Sequence, residues 1–141
     1  MSDARYYLAY GSNMVEDQMD KRAPEAEIVS KEMLLGWELE FKDTPCGVYL
    51  NLIENPASQT PVFIWKITDL DERNMDEYED WPRSYIKKEI SWSKGKAMMY
   101  VVPNTITKTA LPKDEYINPI LDTYRQEGYD TSHILNLLKR G

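Results

Sequence analysis

The segments of this chain that read as strands come in groups, with helices set between the groups instead of alternating with single strands. That order points to an α+β fold on a mainly antiparallel sheet. Strands are expected over residues 5–10, 33–41, 48–53, 62–67, 85–92 and 96–102, where aromatic and β-branched residues concentrate. The last two form a hairpin around Ser93, Lys94 and Gly95. Gly36 implies a bulge or a close backbone approach, and Glu54, Asn55, Pro56, Ala57 and Ser58 imply a turn between two strands. A short sheet of this kind protects its edges by curling or by closing into a small barrel.

Four helices separate these groups. The first follows Asn13, which makes a capping-box pattern with Glu16, and ends before Pro24. The second starts at Asp69, with Glu72 three residues on, and stops near Trp81 and Pro82. The third opens at Pro112 with a stripe of Tyr116, Ile117, Ile120, Leu121 and Tyr124, and stops at Gly128. Pro119 inside the stripe either kinks its start or marks it. A last helix after Asp130, Thr131 and Ser132 carries Ile134, Leu135, Leu137 and Leu138. No repeat or long Gly/Ser/Pro linker divides the 141 residues, so a single domain over 1–141 is expected.

Composition narrows the chemistry. Seventeen basic against 24 acidic side chains give a net charge of −7, which argues against nucleic acid and anionic membranes as partners. No apolar run approaches the roughly 18 residues of a membrane span, and no leader-like apolar region is visible, so a cytoplasmic location is expected. Cys46 and His133 are the only residues of their kinds. An internal disulfide is therefore excluded, and a His-based triad or multi-histidine metal site nearly so. Cys46 has no nearby histidine and reads as a small loop residue, and His133 as structural or exposed. Any catalysis must then run on carboxylates, hydroxyls and backbone amides.

Two places carry candidate chemistry. Tyr10, Gly11, Ser12 and Asn13 join a strand to the start of a helix. Glycine permits a tight turn, and the first helical N–H groups have no partner within the helix. Such a loop is a site for a carboxylate, phosphate or oxyanion, or simply an ordinary strand–turn–helix connection. It lacks the extra glycines and lysine of nucleotide-binding loops.

Residues 68–80 hold the carboxylates Asp69, Asp71, Glu72, Asp76, Glu77, Glu79 and Asp80. A calcium loop starting at Asp69 fails, with Arg73 at the fifth position and Asn74 where glycine is needed. On a helix, Met75 and Tyr78 share a side that Glu79 approaches, Asp76, Glu77 and Asp80 project toward solvent, and Leu70 fits poorly. Glu79 is then either a partly desolvated acid/base or a structural carboxylate satisfied by backbone or tyrosine. Ten tyrosines to two phenylalanines suggest a polar cavity, with Tyr85, Tyr100 and Tyr116 the candidates of interest.

Tyr7-Leu8-Ala9-Tyr10-Gly11-Ser12-Asn13-Met14 resembles the opening Y-x-A-Y-G-S-N-[LM] of the gamma-glutamylcyclotransferase-like family. Met75-Asp76-Glu77-Tyr78-Glu79-Asp80-Trp81-Pro82, followed by Tyr85, resembles its L-D-x-Y-E-G-x-P…Y segment. Ala97 to Tyr100 and Pro112 to Tyr116 are similar to its A-x-x-Y strand and P-S-x-x-Y helix start. The resemblance implies a small mixed barrel flanked by helices, with a ligand cavity at one end. It implies Glu79 as the acid/base, the loop of Tyr10, Gly11, Ser12 and Asn13 as the substrate-binding loop, and orienting roles for Tyr85, Tyr100 and Tyr116.

The activity implied is a cyclising acyl transfer or lyase reaction that releases 5-oxoproline from a γ-glutamyl amine or amino acid, by an intramolecular attack that needs no metal or cofactor. The expected partner is that small molecule, with a homodimer left open. The competing reading is a non-catalytic small-molecule binding or protein-interaction module. Three departures bear on substrate identity: Asp80 where the family has glycine, Lys113 and Asp114 where it has a Ser-Pro-like pair, and Val62, a bulkier residue expected in the cavity wall.

Overall fold

The computed structural model describes residues 5–45, 47–79, 81–83, 85–102 and 110–139. Cys46 and Asp80, for which the sequence raises expectations, lie outside the described residues. Strand β1 (Arg5–Ala9) leads through a 3₁₀ turn (Ser12–Met14) into α1 (Glu16–Arg22). A long hairpin of β2 (Glu27–Thr44) and β3 (Gly47–Ile67) follows, then α2 (Asp69–Tyr78). The β4 (Ile86–Trp92) and β5 (Gly95–Val101) hairpin precedes α3 (Asp114–Glu127) and α4 (Ser132–Leu138).

The sheet order is β2-β3-β1-β5-β4. Every pairing is antiparallel except β1 with β5, where Tyr7 faces Met98. The mixed, mainly antiparallel α+β architecture is the expected one, but the sheet is open. Side chains bridge its two edge strands: Ser93 donates to Glu32 at 2.5 Å, and Lys88 Nζ stands 5.5 Å from the Trp37 ring centre. Charged and polar side chains along edge strands are one of the ways an open sheet guards its edges.

The expected turn at residues 54–58 does not end a strand. Trp37 pairs with Glu54 and Leu35 with Gln59, so four β3 residues are accommodated opposite Gly36, which has φ +86. Asn55 accepts from the Ala57 N–H at 3.0 Å, and Asn55 and Ser58 both donate to Glu38. The turn residues thus form a wide bulge inside one strand, satisfied by local side chains. β2 also begins six residues earlier than expected, because its first half is an exposed, charged edge with little apolar signal.

Leu8, Ile64, Met75, Met99 and Ile120 are fully buried where the helices cover the sheet. Each such side chain contributes about 1.5–3 kcal/mol by leaving water. The stripe expected on α3 is buried except Tyr116, which is partly so, and the helix runs through Pro119. Val62 is a core residue at 1% exposure and does not line the cleft described below, which corrects its expected place in the cavity wall. Lys113 precedes α3 without a side-chain cap, and Asp114 opens it. His133 is exposed, with Nε2 2.9 Å from the Leu39 carbonyl. Among the described residues no helix is long and apolar enough to cross a membrane.

Candidate functional site

Asn13 does not cap the helix as the sequence suggests. α1 starts at Glu16 behind Val15, without a side-chain cap. The Asn13 amide is instead turned into the protein, where a buried polar group needs partners. Its Oδ1 accepts from Arg22 at 2.5 Å, while Nδ2 donates to the Tyr7 hydroxyl at 2.9 Å and to Glu79 Oε1 at 3.3 Å. The 3₁₀ turn is closed by Met14 N–H to Gly11 C=O and Val15 N–H to Ser12 C=O. The N–H groups of Gly11, Ser12 and Asn13 meet no protein acceptor among the described residues, as the first turn of a helix leaves them.

Gly11 has a negative φ of −126°, and the constraint shown there is space. A Cβ there would stand 3.2 Å from the Tyr116 hydroxyl and 3.7 Å from Leu50 Cβ.

These groups open onto a cleft between the residue 10–13 loop, the end of α2 and the tyrosines. Tyr10, Gly11, Ser12, Asn13, Glu79, Tyr85, Tyr100 and Tyr116, the residues singled out from the sequence, all line it. Three tyrosine protons are already engaged. Tyr10 donates to the Tyr100 carbonyl at 2.5 Å, Tyr85 to the Leu50 carbonyl at 3.0 Å, and Tyr100 to Asp76 at 2.5 Å. Tyr116 accepts from the Leu50 N–H at 3.0 Å, as Tyr7 accepts from Asn13. Tyr7 and Tyr116 therefore keep their own protons for a ligand acceptor. Burial lifts all five hydroxyls well above the ordinary phenol range, so they remain donors.

Glu79 follows the last turn of α2, its N–H bonded to the Met75 carbonyl at 2.8 Å. Met75 is fully buried and pins that turn, which brings Glu79 to the cleft. Burial raises the carboxyl from 4.5 to about 7, against the opposing pull of the Arg22 charge and the Asn13 hydrogen bond. Such a group is poised to take and return a proton near neutrality.

The rest of α2 departs from the sequence reading. The capping pair is Thr68 with Asp71, each 3.1 Å from the other's N–H, one residue ahead of the expected Asp69–Glu72 register. Asp76 does not face solvent: it accepts from Tyr100 and from Lys87, the latter at 3.0 Å. Tyr78 is 46% exposed instead of sharing the buried side with Met75, and Leu70, the misfit, is 56% exposed.

Sequence reasoning missed Arg22, Tyr7 and Tyr49. Tyr49 packs its ring 5.2 Å from Tyr116, across the cleft wall. Arg22 Nη1 donates to Ser12 Oγ at 3.0 Å as well as to Asn13, and Nη2 to Gln18 at 2.8 Å. Its guanidinium lies 3.4 Å from the Tyr78 ring centre. The available signal was the four-residue spacing of Gln18 and Arg22, which makes them neighbours on one helix face. Among the described residues no three His, Cys, Asp or Glu side chains gather to hold a metal ion.

Residues 7–126 match the family model described as gamma-glutamyl cyclotransferase, AIG2-like. The chain belongs to that family. A solved structure named gamma-glutamyl cyclotransferase superposes with a TM-score of 0.77 at 19% identity, over 96% of this chain and 86% of that one. The uncharacterized protein loc79017 from Homo sapiens gives 0.76 at 19%, over 96% and 87%. The uncharacterized protein PH0828 from Pyrococcus horikoshii gives 0.60 at 13%, over 86% and 97%. At these identities the likeness is one of fold. No curated protein matches the chain in sequence. The gamma-glutamyl cyclotransferase match spans both the loop at residues 10–13 and Glu79, the two halves of the cleft.

Proposed function

We propose that this protein is a cyclotransferase that releases 5-oxoproline from a γ-glutamyl amine or amino acid. The observation that carries the reading is Glu79, a carboxyl raised to about 7 in a tyrosine-lined cleft, beside the unpaired N–H groups of Gly11, Ser12 and Asn13. Glu79 takes a proton from the substrate's α-amine, whose nitrogen attacks the γ-carbonyl of the same molecule. The new α-nitrogen to γ-carbon bond closes a five-membered lactam. The bond from that carbon to the leaving nitrogen breaks, and Glu79 returns the proton to the departing amine.

Nothing else need react. The nucleophile is already in the substrate, so catalysis reduces to orientation, one base and donors for the developing oxyanion. The free N–H groups at residues 11–13 suit the oxyanion or the α-carboxylate, and the unengaged protons of Tyr7 and Tyr116 suit the substrate's remaining acceptors. Arg22 is held by Ser12, Asn13 and Gln18, so it is not a free carboxylate clamp.

The test is 5-oxoproline release from γ-glutamyl-alanine, γ-glutamyl-ε-lysine and a γ-glutamylated polyamine, with Glu79→Gln as control. The parent protein is expected to release product from at least one, and the variant to lose 100-fold or more, the usual scale of a general acid/base. No product from the folded parent, with no binding of 5-oxoproline by calorimetry, would favour an interaction module instead.

A further inference from the structure

Arg22 and Asn13 form a chain of polar contacts that ends on Glu79. The Arg22 guanidinium donates to Asn13 Oδ1 at 2.5 Å, which fixes which end of the Asn13 amide carries the N–H₂ group. That group then points to Glu79 Oε1 and the Tyr7 hydroxyl. The same guanidinium holds Ser12 Oγ, and rests on the Tyr78 ring one residue before Glu79. Its second nitrogen is tied to Gln18 one turn earlier on α1. One planar fork thus touches the loop that carries the free N–H groups, the neighbour of the base, and its own helix. A lysine has the charge without the fork or the flat stacking face.

We propose that Arg22 is a positioning residue: through Asn13 and Tyr78 it sets both the orientation of the residue 10–13 loop and the protonation of Glu79. The role deepens the cyclotransferase reading and rests on it for its catalytic meaning, though its effect on Glu79 is measurable without substrate.

The groups that face Glu79 make Arg22 the decisive one. From β1 and the loop come Tyr7, Tyr10 and Asn13, from β5 Tyr100, from the residue before β4 Tyr85, and from α3 Tyr116. All the tyrosines are neutral across the physiological range, and Tyr78 on α2 is the partner of Arg22. Among the described residues Arg22 is the only cation that influences the Glu79 carboxyl, and it opposes the effect of burial.

The experiment titrates the Glu79 side-chain carbon by NMR in the parent, Arg22→Gln and Arg22→Lys, with Glu79→Gln supplying the assignment. Arg22→Gln is expected to move the Glu79 midpoint upward by about one pH unit, tenfold in proton affinity. Arg22→Lys is expected to recover the midpoint in part. In 5-oxoproline release, the rise of kcat with pH moves alkaline in Arg22→Gln, and Arg22→Lys loses kcat more than KM because the loop is no longer forked in place.

An unchanged Glu79 midpoint in folded Arg22→Gln would overturn the proposal, and so would collapse of the fold in both variants, which would mark Arg22 as structural only. A shifted midpoint in a protein that releases no 5-oxoproline would leave the Arg22 linkage standing and remove the cyclotransferase reading.

Discussion

Glu79 is held in a place that disfavours its charged form, and that has a consequence for stability separate from chemistry. Burial pushes its carboxyl up to about 7 from the ordinary 4.5. Between those values the unfolded chain has lost a proton that the native state retains, so stability falls as pH rises and levels off above about pH 7. The interval corresponds to about 2–3 kcal/mol after allowance for solvent at the open side of the cleft. Glu79→Gln keeps the shape and removes the charge. It is expected to melt higher than the parent at pH 8 and at the same temperature near pH 4.5, in thermal denaturation followed by circular dichroism. A variant that loses activity while gaining stability above neutrality would show strain held for function.

At the scale of elements, α2 is anchored at one end and presents the site at the other. Thr68 and Asp71 cap its start reciprocally, and Asp71 is fully buried with a further contact from the Glu25 N–H at 3.4 Å. Glu72 then pairs with Arg5 at 2.5 Å and Lys87 at 2.6 Å, and Lys87 also reaches Asp76, tying the helix to β1 and β4. Thr68→Ala is expected to cost about 1 kcal/mol, lowering the melting temperature by about 2–5 °C, with the Glu79 midpoint unmoved. A drop beyond 10 °C would mean that the cap supports more than its own helix.

The same helix shows how far the residues alone carry. Its existence, and the approach of Glu79 to its apolar side, follow from the spacing of Met75 and Glu79. Its capping register and the partners of Asp76 do not, because Lys87 and Tyr100 lie on strands remote in sequence. The edge half of β2 was hidden for another reason: a solvent-facing strand shows alternation in burial without an apolar run. The bulge at residues 54–58 carries the letters of a turn, and only its pairing with the segment around Gly36 reveals that the strand continues through it.

Over the whole molecule, the β1–β5 centre of the sheet, α2 and α3 converge at one end to enclose the cleft, with Tyr10, Tyr100 and Tyr116 contributed by three different elements. The residues singled out from the sequence all line it, but local patterning left the loop at residues 10–13 and Glu79 open to a structural reading, and the family resemblance tipped the balance. Arg22 was missed because its contacts with Asn13 and Tyr78 form only when α1 folds back over them. The central claim is that Glu79, as the free base, drives lactam formation. Its most direct test is the pH dependence of kcat for 5-oxoproline release from pH 5 to about pH 9, for whichever γ-glutamyl amine turns over, with chemistry verified as rate-limiting. The account predicts a rise through a single inflection near 7 that disappears with Glu79→Gln; a flat profile, or a Glu79→Gln protein of undiminished activity, would contradict it.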